Sequence, residues 1–170
     1  MMRITTLAAL LLFAASPAFA AGEETPATAT TCKTGEVWDK VKSKCVKAAS
    51  GVLPDGELYE QGRQLAKNGS YDDAIAVLSL VKDQRDPRVL NYLGYSNRKA
   101  GRIDVGIAYY QQALAIDPDF VLVREYLGEG YVAAGRIDLA RFQLAEIGKR
   151  CGTACEEYAE LAEAIVKATN

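Results

Sequence analysis

Four cysteines and no histidine limit the chemistry open to this chain. Cys32 and Cys45 bound the segment "CKTGEVWDKVKSKC", and Cys151 and Cys155 bound "CGTAC". Paired thiols can form disulfides, exchange electrons or hold a soft metal ion, according to compartment and neighbours. The absence of histidine excludes the haem-attachment spacing C-x-x-C-H, most zinc ligand sets and every histidine-based nucleophilic triad. No serine stands in a G-x-S-x-G elbow. The carboxylate pairs Asp72-Asp73 and Glu156-Glu157 fall where helices are expected to start, so each meets the positive end of a helix dipole. Nothing in the sequence calls for a cofactor or a catalytic metal, and the expectation is a protein that is not an enzyme.

The compartment is read from the first 20 residues. Arg3 precedes an apolar run from Leu7 to Ala15, and Ala18 and Ala20 are the small residues of a cleavage site, which is the pattern of an export signal removed after Ala20. The run falls short of the roughly 18 residues that a spanning helix needs, so no membrane span is expected after signal removal. The expected location is extracytoplasmic, the periplasm foremost. There Cys32 is expected to bridge to Cys45, closing a loop whose size stabilises by about 3 kcal/mol, and Cys151 to Cys155. Thr153 to Glu156, "TACE", reads as a capping box. It puts Thr153 at the cap of a last helix, Cys155 in the first turn and Cys151 in the preceding loop. The alternative use of Cys151 and Cys155 is as a thiol-redox or copper-handling pair.

Without the signal the chain holds 19 basic and 22 acidic residues, a net charge of −3. That balance gives no electrostatic footprint for nucleic acid. Residues 21–31, "AGEETPATATT", lack any large apolar side chain and read as a flexible linker. Residues 32–46 form a Cys-bounded hairpin around Trp38, the sole tryptophan, expected to cap or tether the domain that follows. Its sharper use is as an aromatic platform for a sugar or peptide.

The elements that position everything else are repeated. "AGRID" occurs at 100–104 and again at 134–138, a return after 34 residues, and "NGSYD" at 68–72 is a looser echo. Such a period, with two helices per unit, marks a helical repeat array. Gly62, Gly94 and Gly128 each interrupt a helical apolar pattern, where glycine costs about 1 kcal/mol against alanine. Close helix crossing explains them, with Ala74, Gly106 and Ala140 as the small partners. Asn68-Gly69, Gly101 and Gly135 are expected to end first helices in left-handed caps. Asp86 is placed to cap a helix that begins at Pro87, and Pro118 forbids continuation of the one before it. Leu58, Leu65, Ile75, Leu78, Val81, Leu90, Leu93, Ile107, Leu114, Tyr126, Leu127, Tyr131, Leu139 and Leu144 follow helical spacing and are assigned to the core.

The line "PRVLNYLGYSNRKAGRIDVGIAYYQQALAIDPDF" resembles the tetratricopeptide repeat (TPR) family along its whole length. Leu90, Leu93, Gly94, Gly101, Tyr110, Ala113 and Pro118 fall at that family's apolar, small, turn, aromatic, small and helix-ending positions. The resemblance implies an all-α, tetratricopeptide-type α-solenoid: three helical hairpins over 55–154, divided as 55–86, 87–120 and 121–154, with a capping helix at 155–170. Asn97 departs from the pattern by standing where the family usually has an aromatic, and the first line is two residues short.

In the resembled family the first helices line a concave groove that holds a peptide or a partner's helix. Here they carry Tyr59, Arg63 and Lys67, then Arg88, Asn91, Tyr95, Arg98 and Lys99, then Leu122, Glu125 and Glu129. Arg88, Asn91 and Lys99 form a partial version of the carboxylate-gripping set of chaperone-binding relatives. Tyrosine and arginine together are enriched at protein interfaces. The expected role is a non-enzymatic scaffold or adaptor for a protein or peptide partner. Reversing Arg88 and Arg98 together is expected to weaken that binding while leaving stability unchanged.

Overall fold

A computed structural model describes residues 32–170. The signal and the linker proposed for 1–31 lie outside them. A two-stranded antiparallel hairpin, β1 (Glu36–Asp39) and β2 (Lys44–Lys47), precedes seven helices. They are α1 (Asp55–Lys67), α2 (Tyr71–Leu78), α3 (Pro87–Lys99), α4 (Ile103–Ile116), α5 (Val121–Ala133), α6 (Ile137–Cys151) and α7 (Glu156–Thr169). Successive helices pair as α1 with α2, α3 with α4 and α5 with α6, while α7 packs on α5 and α6.

The turn inside each pair follows from one glycine. Gly69, Gly101 and Gly135 have φ of +83°, +85° and +71°, a region that L side chains with a Cβ rarely enter. The residue after each glycine reaches back to the third-last residue of the helix. Ser70 N–H donates to the Leu65 carbonyl at 2.9 Å, Arg102 to Asn97 at 2.9 Å and Arg136 to Tyr131 at 2.8 Å. These are Schellman closures, and they satisfy carbonyls the helix end would leave open. Asp86 caps α3 as expected, its carboxylate accepting from the Arg88 N–H at 2.8 Å with Pro87 in the first turn.

The repeated pentapeptide also links neighbouring pairs. Arg102 donates to Asp72 at 2.8 Å and Arg136 to Asp104 at 2.7 Å, so the arginine of one turn grips the aspartate that opens the second helix of the pair before. Asn97, the departure from the aromatic pattern, supports this ladder. Its Nδ2 donates to the Leu93 carbonyl at 2.8 Å, and its Oδ1 accepts from Arg102 Nε at 2.7 Å.

Helix crossing explains the glycines at 62 and 94. A Cβ on Gly94 would lie 2.6 Å from Tyr110 Cε1 and 3.1 Å from the Gly106 carbonyl, while one on Gly106 would lie 2.8 Å from the Gly94 carbonyl. Gly62 faces Leu78 and the Ala74 carbonyl. The third crossing differs from expectation: Gly128 is pressed by Leu161 of α7, not by Ala140. The last pair must accept a capping helix where earlier pairs accept their own second helix. Two further expectations are corrected. Leu139 is exposed on the outer side of α6 rather than in the core, because its neighbour Ala140 takes the inward position. At the α6–α7 junction, α6 continues to Cys151, the turn is made by Gly152 at φ +82°, and Cys155 is the residue before α7 with no side-chain cap. Thr153 therefore lies within the connecting loop and Cys155 outside the first turn.

The hairpin is docked, not loose. Cys32 is bridged to Cys45 with Cα atoms 5.7 Å apart, and Cys151 to Cys155 at 5.9 Å. Val37 is buried with Leu53 and Leu58. The Gln61 side-chain amide accepts from the Trp38 N–H at 2.7 Å and donates to the Trp38 carbonyl at 2.8 Å, so α1 pairs with β1 as another strand would. Among the described residues no helix is long and apolar enough to cross a membrane.

Candidate functional site

The first helices of the three pairs, α1, α3 and α5, share a face on which tyrosines touch in sequence. The Tyr59 and Tyr92 rings lie 6.0 Å apart, Tyr92 and Tyr95 6.2 Å, and Tyr95 and Tyr126 5.3 Å. Tyr71 at the start of α2 and Tyr110 on α4 extend this line into the second layer, at 6.3 Å from Tyr95 and 6.2 Å from Tyr126. Edge and tilted arrangements of this kind are worth about 0.5–1.5 kcal/mol per pair beyond their buried area. Burial raises the Tyr59, Tyr95 and Tyr126 phenols above their ordinary range. They therefore stay neutral and offer O–H donors and ring faces.

Cations sit over these rings. The Arg88 guanidinium lies 5.1 Å from the centre of the Tyr59 ring, and Lys99 Nζ lies 5.6 Å from that of Tyr95. Both side chains are otherwise exposed. Such contacts hold a flexible cation against the surface; Lys99 has no carboxylate partner among the described residues, whereas Arg88 is also held by the Asp86 carboxylate at 2.6 Å. Arg63 is held by Glu60 at 2.9 Å, and Lys67 is exposed in the last turn of α1. At the α1–α3 end of the face, Lys67 and Lys99 thus stand without a carboxylate partner among the described residues, and Arg63 and Arg88 are each paired with one at the surface.

Three residues expected on the face of the first helices are instead inside. Arg98 is buried and clamped between the Glu129 carboxylate at 2.5 Å and the Tyr110 hydroxyl at 3.3 Å. Burial works against its charge, but Tyr110 and Glu129 outweigh that and hold it cationic. It joins α3, α4 and α5 and presents no free charge. The expectation that its reversal would leave stability unchanged is therefore overturned. Asn91 and Glu125, 34 residues apart and so equivalent in successive repeats, are both 1% exposed.

Glu125 is the more consequential of the two. Burial, with Glu129 on its own helix and Glu160 and Glu157 on α7 adding repulsion, pushes its carboxyl up to about 9. It is neutral at physiological pH. A carboxyl raised above its unfolded value contributes stability that is complete below the unfolded pKa and is lost as pH rises towards the folded one. The melting temperature should therefore decline from about pH 4 to pH 9. Glu125→Gln, which keeps the neutral shape, should melt higher than wild type at about pH 8 and equally at about pH 4. Parallel thermal melts followed by circular dichroism check this, and identical pH profiles for the two proteins would contradict it.

Tyr92 was not singled out from the sequence, although a signal existed: Tyr92 and Tyr126 are also 34 residues apart, the spacing of the pentapeptide. Leu122 is half-buried at the start of α5. On the second helices α4 and α6, Val105, Leu139 and Phe142 are exposed by 46%, 46% and 57%, and among the described residues none of them stacks on a ring or lies beneath a cation.

Comparison with known proteins agrees with the helical-repeat fold. Residues 59–119 and 98–165 each match a family model described as tetratricopeptide repeat, together more than half of the chain. No curated protein matches the sequence. Among solved structures, the first TPR of Spaghetti (RPAP3) bound to the HSP90 peptide SRMEEVD is similar with a TM-score of 0.60 at 16% identity, covering 71% of this chain and 98% of that one. The Yersinia enterocolitica type III secretion chaperone SycD, in complex with a peptide of the translocator YopD, gives 0.58 at 22% identity, covering 70% and 93%. MamA of MSR-1 gives 0.54 at 26% identity, covering 68% and 67%.

Proposed function

Because the chain belongs to the tetratricopeptide repeat family, whose domains are generally non-catalytic binding modules, we propose that it is a non-enzymatic scaffold or adaptor. It holds a peptide or protein segment against the face of α1, α3 and α5. The observation that carries this reading is the continuous line of tyrosines across the three helices, topped by Arg88 and Lys99. Tyr92 is buried and links the line from beneath, while the half-buried Tyr59, Tyr95 and Tyr126 rings supply rigid contact area, and the cations supply directional attraction for carboxylates or carbonyls of a partner. RPAP3 and SycD, which share the fold, were each solved with a peptide bound. Export by the N-terminal signal and action in the periplasm or another extracytoplasmic space complete the proposal, and the two cysteine pairs suit an oxidising compartment.

The test uses Arg88→Glu combined with Lys99→Glu. Lys99 is exposed without a carboxylate partner and Arg88 loses only a surface ion pair with Asp86, so stability should change by no more than about 1 kcal/mol for each. Binding should fall steeply because like charge replaces complementary charge at the contact. The readout is recovery of envelope proteins on immobilised wild type and double variant, with melting curves as control. Equal recovery of the same proteins by both would remove these two cations from the binding site.

A further inference from the structure

We propose that Cys151, Cys155 and Glu157 form, once the bond between the two sulfurs is opened, a binding site for one zinc-type divalent cation at the α6–α7 junction. Among the described residues this is the place where three metal-ligating groups converge, their sulfur and carboxylate atoms all within 4.8 Å of one another. A tetrahedral zinc ion holds such atoms roughly 3.5 Å apart, so small side-chain rotations close the set. The spacing C-x3-C falls inside the C-x2–4-C range that lets two thiolates share one ion.

The backbone positions the three groups from separate elements. Cys151 is the last residue of α6, Gly152 makes the turn, Cys155 precedes α7, and Glu157 lies in its first turn. The junction is also held by packing that does not involve sulfur. Leu161 is buried against Gly128, and Tyr158 covers Gly148 so closely that a Cβ there would lie 3.3 Å from its ring. Opening the bridge therefore leaves the three ligands near one another. Cys151 is exposed and Cys155 half-buried, which gives a reductant and an ion access.

The donor set selects the cation. Two thiolates with one carboxylate suit a borderline-soft ion such as zinc, with water in the fourth position, whereas magnesium and calcium prefer all-oxygen shells. Cys155 stands at the N-cap of α7, whose first amide groups no side chain caps, and the positive end of the helix dipole there favours a thiolate. A dithiol or phosphine reductant supplies two electrons, and with two protons the disulfide becomes two thiols while the reductant is oxidised. The cation then replaces both thiol protons, which leave to solvent, and takes the Glu157 carboxylate as third ligand.

The experiment uses the full chain, oxidised and after reduction with a phosphine, and cobalt(II) followed by zinc as probes. Reduced wild type should retain its helicity, develop a thiolate-to-cobalt charge-transfer absorption, and lose it on adding one equivalent of zinc. Oxidised protein should show none. Reduced Cys151→Ser with Cys155→Ser, which keeps Cys32 and Cys45, should also show none, and Glu157→Gln should bind about tenfold more weakly or worse. The proposal is overturned if reduced wild type gives no absorption or loses its helicity, if the double serine variant keeps the absorption, or if Glu157→Gln binds as tightly as wild type.

Discussion

Arg98→Glu should strongly destabilise the array, although the residue reads in the sequence as one more surface cation. Arg98 is buried, and its guanidinium satisfies Glu129 on α5 and Tyr110 on α4. Breaking a buried ion pair costs about 3–5 kcal/mol, because the remaining charge is left without a partner. Reversal adds a second carboxylate beside Glu129. For a domain of this size each kcal/mol lowers the melting temperature by about 2–4 °C, so a fall of about 10 °C or more is expected. Arg88→Glu alone, on the exposed rim, should shift it little. Exchanging the charges as Arg98→Glu with Glu129→Arg should recover part of the loss. Circular dichroism melts of the four proteins decide the matter, and a wild-type melting temperature for Arg98→Glu would show that the clamp does not hold the helices.

Gly94→Leu carries the other large effect. The first carbon of any side chain there would lie 2.6 Å from Tyr110 and 3.1 Å from the Gly106 carbonyl. Tyr110 is wholly buried and has no room to retreat, and the carbonyl belongs to the backbone of α4. Overpacking costs about 1–3 kcal/mol and more where the obstacle cannot move, so a loss at or above the upper end is expected. Gly56→Ala is the internal control. Nothing lies within 4 Å of a Cβ at Gly56 in the first turn of α1, and reduced chain freedom should stabilise by about 0.4–1 kcal/mol. Urea unfolding midpoints should therefore move in opposite directions. Midpoints for Gly94→Leu equal to wild type would mean that α3 and α4 do not cross at these two glycines.

The array was legible in the sequence because its punctuation is local. A glycine after each first helix, a proline after a capping aspartate and a pentapeptide returning after 34 residues each report on a few neighbouring residues. What was misread depends on contacts distant in the chain. Arg98 and Glu125 are charged residues, and charge ordinarily marks a solvated face; their burial follows from Glu129, Tyr110 and α7 closing over them. Gly128 was paired with Ala140 by analogy with the earlier repeats, but the array ends there and Leu161 takes the space. Arg88 and Lys99 lie exposed on the first helices as their spacing implied, because an exposed helix face needs no contact distant in the chain.

The central claim is that a partner lies on the face of α1, α3 and α5. Replacing Tyr59 by a benzophenone-bearing amino acid puts a photo-crosslinker on that face in place of a similar ring, and the same replacement of Phe142, 57% exposed on α6, reports on the second helices. Irradiation in the native envelope should yield a discrete crosslinked protein from position 59, lost when Arg88→Glu and Lys99→Glu are added, and none from position 142. Adducts from position 142 with none from position 59 would contradict the account.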